Sequence, residues 1–432
     1  MTAQRTATIW RRTMLAVATI GQLGVAVSSA WAGGLGLYEI GSPDLGTASA
    51  GRAALAEDAS TAFTNPAGMT RLQGSQIQVG LMPLIVTTEF DEGTGTTNSG
   101  GNGGNAGGFI PAAGLYGVYE PMPDLKIGAA INSYVGGSLN YDDNWAGRYY
   151  TTETELLTFN FNPVAAYRVL PWLSLGVGFS VQYAKLKQEA AVNNVLDSLP
   201  DGSLKYQDHN FGFGGNCGIL FEIDPQTRLG FTYRSPVDQS FSDVPSFGQL
   251  GPGLHRILQT AGVLNHSLSL GMTIPQETML SVYRDVTDDM ALMANFGWQN
   301  WSQFGQYSVQ LNTAPPRAAA ANANLDDTFQ GAIGMHYRLG EPTMLQLGFA
   351  YDSSALTEPH RGPSLPIDQQ LRFGGGVTYN VTDTYTLGFA YEYASLGSAP
   401  INTTRSALSG TLQGDYSTNS LNVIQFTVNH RF

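Results

Sequence analysis

The sequence predicts an all-β fold, a 14-stranded antiparallel transmembrane β-barrel with an N-terminal hatch (plug) in the lumen. Three observations support this prediction. Large apolar residues alternate with small or weakly polar ones along most of the chain. No apolar run after the N-terminus is long enough for a helical membrane span. Short connections alternate strictly with long ones, as they do in membrane barrels.

The first 32 residues have the features of a signal peptide. Arg5, Arg11 and Arg12 form a basic start, residues 14–27 are apolar, and Ala30 to Ala32 provide a small-residue cleavage site. This apolar run is too short to span a bilayer as a stable helix, although an uncleaved N-terminal anchor is the alternative. We therefore divide the chain into a signal peptide (1–32), a hatch (33–73) and a barrel (74–432).

The composition is poor in charge and rich in glycine. Charged residues make up 13% of the chain, against the usual quarter or so. The net charge is -13, and loss of three arginines with the signal peptide would move it to about -16. An acidic protein of this kind is a poor candidate for binding nucleic acid, and we expect no such partner. Cys217 is the only cysteine, which we interpret as a small filler on a strand.

Neither a metal, a cofactor nor an enzymatic activity is expected. The 6 histidines show no ligand spacing, and the chain lacks the nucleophile-elbow, Walker, dinucleotide-binding and His-Glu-x-x-His motifs. A barrel enzyme whose nucleophile and base come from adjacent strands stays open on spacing alone.

Side-chain size indicates which face of each predicted strand contacts lipid and which face points into the lumen. From Leu173 to Tyr183 every second residue is large and apolar, and the residues between them are Ser, Gly and Gln. The same alternation recurs at 229–233, 345–351, 385–393 and 424–432. A soluble sheet would carry Lys and Glu on the second face. We therefore expect the bulky face to contact lipid and the small face to point into the lumen.

The connections give an independent strand count. Six are short: 121–124, 170–172, 224–227, 286–289, 339–342 and 380–383. Seven are long: 90–108, 136–153, 189–207, 242–264, 312–325, 354–367 and 395–416. Thirteen connections give fourteen strands, and a series that begins and ends with a long loop places both termini in the periplasm.

The residues before the first strand do not alternate. Residues 33–72 are rich in Gly, Ala and Ser and contain the turn sequence Asn65, Pro66, Ala67, Gly68, which we predict to be the gating part of the hatch. We predict a short helix between Ala48 and Ala62. A disordered leader is the alternative to a folded plug, but disorder is usually associated with more charge and fewer aliphatic residues.

Here the chain resembles a known family. The segments Gly41-Ser42-Pro43-Asp44-Leu45-Gly46 and Ala50-Gly51-Arg52-Ala53, with residues 57–68, resemble the hatch of the FadL-type long-chain fatty-acid transporters. That family includes relatives that admit toluene-like aromatic hydrocarbons. Further matches cover residues 144–149, 162–163, 166–168, 172–176 and 274–278. The resemblance extends over essentially the whole mature chain.

The resemblance implies a function and a location. It implies facilitated diffusion of hydrophobic molecules through the cell outer membrane of a Gram-negative bacterium, with long-chain fatty acids as the expected cargo. Monoaromatic hydrocarbons are one alternative cargo. The other alternative is that the protein is a general porin for polar solutes. The expected partners are this hydrophobic small molecule, outer-membrane lipid and lipopolysaccharide, and a self-contained barrel of this kind has no evident need of an oligomer.

The resemblance also implies a kinked third strand that opens sideways into the membrane. We assign this opening to Gly128, Tyr134, Gly136 and Gly137 because Tyr134 falls on the lumen side and breaks the alternation beside glycines. An ordinary strand end is the alternative. Pro275 predicts a second break, since proline cannot donate a ladder hydrogen bond.

Two loops differ in character. Residues 244–264 are less polar than the other loops, and Leu250, Leu254, Ile257 and Leu258 can form one apolar face of a short helix. We predict that this face captures hydrophobic ligands. The alternative is that it only packs one loop against another. The loop over residues 92–108 is nearly all Gly, Asn and Thr, and we expect it to be flexible.

A fatty-acid carboxylate would need a cation in the lumen. Arg228, Arg234, Arg338 and Arg372 have inward parity and are the candidates, although inward arginines also serve as partners of acids such as Glu392. Outside the barrel, Lys185 and Lys187 lie beyond Tyr183, where we expect lipopolysaccharide phosphates to meet them.

Overall fold

The structure, a computed structural model, describes residues 40–194, 196–313, 316–406 and 408–432. The signal peptide that we predict lies outside the described residues, as do residues 33–39 of the hatch. The boundary between hatch and barrel falls just before the first strand, which begins at Gln76.

Fourteen antiparallel strands, β1 to β14, form a closed barrel, and the predicted fold is confirmed. The strands are β1 Gln76–Glu92, β2 Gly108–Met122, β3 Leu125–Asn132 and Gly137–Asn140, β4 Glu153–Leu170, β5 Leu173–Val192, β6 Gly202–Asp224, β7 Thr227–Arg234 and Val237–Asp243, β8 Leu268–Ile274 and Glu277–Asp285, β9 Met290–Gln299 and Gln306–Leu311, β10 Arg317–Asn322 and Thr328–Arg338, β11 Thr343–Asp352, β12 Gln370–Asn380, β13 Tyr385–Ser395 and β14 Gly410–Arg431. Two shorter strands, Ser246–Gly248 and Ile401–Ser406, pair with β6 and β14. The barrel closes where β1 pairs with β14, from Gln76 opposite Arg431 onwards. Closure satisfies the backbone groups that an open sheet would leave facing lipid.

The helices are short. They are α1 Thr61–Thr64, α2 Pro252–Ala261 and α3 Trp301–Phe304, with 3₁₀ turns at Pro43–Thr47, Pro66–Arg71 and Glu358–His360. Among the described residues no helix has both the length and the apolar character needed to cross a membrane.

The prediction of a helix between Ala48 and Ala62 is wrong. Ala48, Ser49 and Gly51 have φ values of 50°, 65° and 78°. Left-handed backbone does not continue a right-handed helix, and this stretch therefore folds as consecutive turns. Helical geometry begins only at Thr61.

The two faces of the wall differ as the sequence predicts. On β5, Val177 is 62% exposed on the outer face, whereas Ser180 is 1% exposed on the inner face. The same contrast holds on β14 between Phe426 and Gln425. Cys217 lies on β6, opposite Val177 and Tyr233. The wall therefore presents its bulky residues to the outside and its small ones to the lumen.

All six predicted short turns are found at one end of the barrel. The described C-terminus lies at the same end, because the backbone N–H of Phe432 donates to the carbonyl of Ser75 just before β1. The long loops gather at the other end. The chain therefore enters and leaves the barrel at the short-turn end.

The loop that follows β1 is held in place, against our expectation of a flexible segment. The N–H of Gly101 donates to Asn144 O at 3.1 Å, and the N–H of Ala146 donates to Gly101 O at 2.9 Å. Gly103 has a φ of 86° and approaches the stacked rings of Tyr141 and Trp145, whose centroids lie 4.0 Å apart. The glycines allow the backbone to pack closely against this aromatic cluster, and this packing fixes the loop.

Glycines on the lumen face mark where the hatch backbone touches the wall. A Cβ at Gly230 would lie 1.9 Å from the carbonyl oxygen of Ala53, and a Cβ at Gly348 would lie 1.9 Å from that of Thr47. Gly176, Gly218 and Gly374 are in similar positions against Ala67, Asn65 and Leu45. Only glycine permits these approaches. The inward glycines of the sequence are therefore the seat of the hatch, which lies inside the barrel.

We predict that Gly348→Val unseats the hatch, whereas Gly331→Val on the paired strand β10 does not. Nothing lies within 4 Å of a Cβ at Gly331. The clash at Gly348 should lower the free energy of unfolding by about 1–3 kcal/mol, the usual cost of overpacking. Urea titration of the refolded protein measures this, and single-channel recording should show a raised ion conductance for Gly348→Val alone. Equal behaviour of the two variants would contradict the seating of the hatch on these glycines.

Candidate functional site

Four neighbouring strands break at the same height in the wall. Arg234 of β7 pairs with Glu277 of β8, Glu277 with Gln299 of β9, and Gln299 with Thr328 of β10. Beyond this rung the strands stop and resume as a separate sheet, which we call the upper sheet. It consists of Val237–Asp243, Leu268–Ile274, Gln306–Leu311 and Arg317–Asn322. The predicted break at Pro275 is part of this line, since β8 ends at Ile274 and resumes at Glu277.

The upper sheet reverses the polarity of the wall. Its apolar residues point into the lumen, where Phe241 and Leu270 are almost fully buried. Its polar residues, such as Asp238 and Ser240, are exposed on the outside. The lumen side is formed by Val237, Phe241, Leu268, Leu270, Met272, Ile274, Tyr307, Val309 and Leu311. Our sequence analysis missed this apolar lining, although polar residues at every second position of 238–242 were a readable signal.

The predicted capture loop packs onto this lining. Helix α2 forms there over Pro252–Ala261, and it is followed by Gly262, whose φ of 81° provides a left-handed C-cap. Leu254 and Leu258 are buried in the apolar cluster, and Leu250 packs against it. Ile257 is partly exposed. The apolar face of the loop therefore exists, and it turns towards the lumen.

A continuous apolar path connects α2 with the hatch. One cluster of contacting buried residues joins Leu258 of α2, Phe241 of the upper sheet, Tyr134 at the break in β3, and Phe63 and Met69 of the hatch. Because each member contacts its neighbours, this path consists of packed side chains that form one contiguous apolar region.

The third strand contains an extra residue. Asn132 pairs with Asn160 of β4 and Gly137 pairs with Leu156, so that β3 advances by five residues while β4 advances by four. This is a β-bulge. Tyr134 and Val135 are buried there, and the hydroxyl of Thr158 donates to the carbonyl of Val135.

Of the residues assigned to the opening, Gly136 and Gly137 lie at this break. Gly128 does not. It is paired with Val118 and Val164 within the regular ladder, and a Cβ there would lie 2.8 Å from Met69 Sδ. Gly128 therefore contacts the hatch. The irregular stretch of the ladder with β4 is confined to residues 133–136, where only Val135 forms an isolated bridge.

Arg234 connects the wall, the hatch and the β3 break. Its guanidinium carbon lies 4.2 Å from the centroid of the Phe63 ring and 4.8 Å from that of Tyr134. Nε donates to Glu277 Oε1 at 3.1 Å, and Nη2 donates to the Phe63 carbonyl at 3.3 Å. Cations at these distances from aromatic rings are attracted by them. Nη1 is buried without a hydrogen-bond partner among the described residues.

The other three arginines are engaged elsewhere. Arg228 donates to the hatch carbonyls of Ala54 and Leu55. Arg372 forms ion pairs with Asp352 at 2.9 Å and Glu392 at 3.6 Å. Arg338 lies at the short-turn end, where its side chain is 44% exposed and pairs with Asp285. Arg234 is therefore the candidate that the geometry favours for a ligand carboxylate.

Further unpaired polar atoms surround this position. Both amide atoms of Asn160 and the hydroxyl of Ser180 are buried with no partner among the described residues. Gln182 lies opposite Asn160 in the ladder and accepts from Gln239 at 3.3 Å. Buried polar atoms usually have partners, so a group of unsatisfied ones indicates a place for a polar ligand group or water.

The predicted gating motif fixes one end of the hatch to the wall. The amide of Asn65 donates to Ala53 O at 2.6 Å and to Ile219 O of β6 at 3.1 Å, and its Oδ1 accepts from the N–H of Ala67. Pro66 packs against Gly176 of β5, and Gly68 lies against Thr61. The motif therefore connects hatch and barrel by hydrogen bonds, and its role in gating stays a prediction.

Together these features define a hatched transport barrel of the bacterial outer membrane. Residues 23–432 match the family model described as "Outer membrane protein transport protein (OMPP1/FadL/TodX)", and the chain belongs to this family. It is accordingly an outer-membrane protein of a family of transport proteins rather than enzymes.

Relatives and solved structures agree with this assignment. The long-chain fatty acid transport protein of Escherichia coli O6:H1 is 27% identical over 416 residues, which is 89% of this chain and 91% of that protein. The 47 kDa outer membrane protein of Pasteurella multocida is 30% identical over 391 residues, covering 85% and 89%. The fold is similar to that of a Pseudomonas aeruginosa FadL homologue, with a TM-score of 0.82, 19% identity and coverage of 91% and 98%. It also resembles the P. putida toluene transporter TodX, with a TM-score of 0.65, 14% identity and coverage of 87% and 94%.

We predict that Arg234→Ala loosens the hatch. The variant removes two cation–π contacts and a hydrogen bond to the Phe63 carbonyl, which together should contribute about 2–4 kcal/mol. Hydrogen–deuterium exchange should then become faster in residues 61–71 and around Tyr134. Arg338→Ala at the exposed periplasmic end is the control and should leave both regions unchanged. Protection that is the same in both variants would show that Arg234 does not hold the hatch.

Proposed function

We propose that this barrel carries long-chain fatty acids across the outer membrane by facilitated diffusion, and that Arg234 meets their carboxylate. The observation that carries the proposal is a continuous apolar path that ends beside the buried guanidinium of Arg234, whose Nη1 has no hydrogen-bond partner among the described residues. A long apolar chain with a single acidic end fits such a path.

The lipopolysaccharide layer is the barrier that this path bypasses. An apolar solute crosses a polar, charged layer poorly, because its hydration is unfavourable there. Helix α2 offers the first apolar surface, with Leu254 and Leu258 already directed towards the lumen. The upper sheet then lines the way down to Phe63. No energy source is needed if metabolism removes the cargo after it has crossed.

The charge near Arg234 is suited to reversible binding. A carboxylate that accepts from Nη1 gains a charge-assisted hydrogen bond in a site shielded from water. Glu277 at 3.1 Å already offsets much of the positive charge, which limits the affinity. The fatty acid can therefore bind there and still leave.

Binding at Arg234 would affect the hatch and the β3 break together. The guanidinium contacts both Phe63 of the hatch and Tyr134 of the break, and the centroids of these two rings lie 5.6 Å apart. A carboxylate that draws the guanidinium towards itself weakens both contacts at once. A ligand shifts such an equilibrium only by its difference in affinity for the two states, so the carboxylate rather than the alkyl chain would be the trigger.

We place the exit at the bulge of β3. There the ladder with β4 lacks regular pairing over residues 133–136, and on the other side of β3 the pairing with β2 begins only at Leu115 opposite Ile131. A solute that leaves through this gap enters the hydrocarbon of the membrane, which suits a fatty acid better than release into water.

Neutral aromatic hydrocarbons are the second candidate cargo. The toluene transporter TodX has the same fold as this chain, and an aromatic hydrocarbon could follow the same apolar path without using Arg234. A polar-solute porin is less consistent with the structure, because the hatch and the apolar cluster occupy the lumen. We further expect the barrel to act as a monomer.

We predict that Arg234→Met separates the two cargoes. Oleate should bind about 10–100 times more weakly than to the wild type, since a charge-assisted hydrogen bond contributes about 1.5–3 kcal/mol. Methyl oleate, which has the same chain and no charge, should bind within twofold of the wild-type value. Tryptophan fluorescence titration of the detergent-solubilised barrel measures both.

An equal loss for oleate and methyl oleate would assign Arg234 to the hatch alone. Tight binding of toluene with no binding of oleate to the wild type would favour the aromatic cargo. A deletion strain complemented with each variant and grown on oleate or on toluene as sole carbon source connects the affinities with uptake.

We also predict that deletion of Gly136 blocks transport without blocking binding. Removal of the extra residue lets β3 pair continuously with β4, which closes the gap. Oleate should bind within threefold of the wild-type affinity, while uptake of radiolabelled oleate by cells should fall at least tenfold. Ser133→Ala keeps the extra residue and is the matched control. Normal uptake by the deletion variant would place the exit elsewhere.

A further inference from the structure

The barrel wall has a step between β6 and β7. The two strands pair from the periplasmic turn up to Asn216 opposite Arg234, and the N–H of Ser235 still donates to Gly215 O. Pro236, which has no N–H, follows. Pairing on this side of β6 resumes only at Lys205 opposite Ser246. Among the described residues, positions 206–214 of β6 therefore have no ladder partner on the β7 side.

The unpaired groups can be identified from the ladder itself. Successive residues of a strand direct their N–H and C=O to opposite sides. Both backbone groups of Gly215 are directed to Ser235 of β7. The alternate residues Gln207, His209, Phe211 and Phe213 must then direct theirs the same way, away from β5. These residues form an open strand edge.

The upper sheet lies behind this edge. A Cβ at Gly212, on the inner face of β6, would lie 2.5 Å from Val237 Cγ1. β7 therefore passes behind β6 after Pro236, and the polar outer face of the upper sheet is set back from the wall. The resulting recess has a volume of about 720 Å³. Pockets for small ligands usually measure about 300–1,000 Å³.

Most of the residues that line the recess have polar side chains. The lining is formed by Asn210, Asp238, Gln239, Ser240, Gly271, Met272, Thr273, Gln306, Tyr307 and Ser308. Hydroxyl and amide groups predominate, and Asp238 is the only charged residue among them. We call the open edge of residues 207–213 together with this recess the edge slot.

The edge slot lies at the boundary between hydrocarbon and headgroups. Phe211 and Phe213 on the same stretch are 57% and 61% exposed, as expected of residues that contact lipid. The row that follows towards the loops is charged. Lys185 pairs with Glu155, Lys187 with Glu153 and Lys205 with Glu189. The lysines that we expected to meet lipopolysaccharide phosphates are thus already neutralised by carboxylates of the wall.

An unpaired strand edge at this height needs a hydrogen-bonding partner. Open sheet edges do not face hydrocarbon, because unsatisfied N–H and C=O groups are costly there. The partner must offer several donors and acceptors, as the edge and the recess both do. The partner must also be compatible with the phenylalanine side chains beside the edge. It must bind without attraction from a net positive charge, because the nearby lysines are paired with carboxylates.

We propose that the edge slot binds the saccharide headgroup of an outer-leaflet glycolipid. Sugar hydroxyls and amides bond to the edge of β6 and to the polar recess, and the acyl chains cover Phe211 and Phe213. The slot is continuous with the lipid-facing wall, which favours a lipid over a protein as its occupant. The proposal rests on the outer-membrane location, not on the identity of the transported cargo.

The experiment compares His209→Pro with His209→Ala. The N–H of His209 faces the slot and not β5, so proline removes a donor of the edge without removing a ladder bond. The alanine variant loses the same side chain and keeps the N–H. The probe is hexa-acylated diglucosamine lipid A added to the full-length barrel in detergent, and native mass spectrometry counts bound molecules. We expect affinity to fall at least fivefold in His209→Pro and to stay within twofold in His209→Ala.

A second variant keeps the test informative if His209→Pro does not fold. Ser240→Trp fills the recess from the upper sheet and should also weaken lipid A binding at least fivefold. Oleate affinity should stay at the wild-type value in all three variants, which shows that the barrel is folded and keeps this test separate from the transport proposal. Because the lysines are paired, binding should persist within twofold in 0.5 M salt and with monophosphorylated lipid A.

Three results would overturn the proposal. One is equal lipid A binding by His209→Pro and the wild type. Another is loss of binding in salt or without one phosphate, which would mean a phosphate site. The third is a photo-crosslinker at residue 209 that captures a peptide strand and not lipid in whole cells, since an open edge can also accept a strand.

Discussion

The contact on which the rest of this structure depends is the cluster of Phe63, Arg234 and Tyr134. A buried guanidinium is unfavourable unless it is paired, and here the pairing comes from two rings, one carboxylate and one carbonyl. Phe63 belongs to the hatch, Tyr134 to the interrupted third strand, and Arg234 to the last rung before the upper sheet. Three parts that are separate in the sequence thus share one side chain. None of them can move far without changing the environment of the same charge.

The closed barrel explains why the interruptions are so few and lie together. A hydrogen-bonded wall in lipid cannot bend or open without exposing backbone groups, so movement is restricted to places where the ladder is already interrupted. β3 is interrupted at residues 133–136, and four strands are interrupted just beyond the rung that contains Arg234 and Glu277. The hatch contacts the wall through glycines and through hydrogen bonds such as those of Asn65 and Arg228. A transporter built on this wall has to combine these elements, and the structure brings all of them to the same height.

The sequence was sufficient to predict the barrel wall. It was not sufficient to predict how the hatch and the arginines inside the barrel are arranged. Strand number, turns and the lipid face follow from period-two alternation, because burial in a barrel repeats at every second residue. The bulge could be found for the same reason, since a bulky residue, Tyr134, falls on the lumen side and is followed by glycines. Parity also placed four arginines in the lumen but could not rank them. The partners of Arg228 and Arg372 come from the hatch and from distant strands, and long-range contacts leave no periodic signal. The turns at Ala48 and Ser49 were missed because their left-handed backbone depends on the surrounding wall and not on local propensity.

The reversed polarity of the upper sheet connects the two functions that we propose. Below the break the wall carries apolar side chains on the outside, because they face hydrocarbon. It carries small side chains on the inside, because the hatch packs there. Above the break the membrane surface is polar, and the same alternation with its faces exchanged puts Phe241 and Leu270 into the lumen and Ser240 and Asp238 outside. A single change of register, made where Pro236 and Pro275 prevent ladder bonds, therefore creates an apolar entry path and a polar outer surface together. The set-back that makes this exchange possible is also what leaves the edge of β6 open, so the entry path and the edge slot have one structural cause.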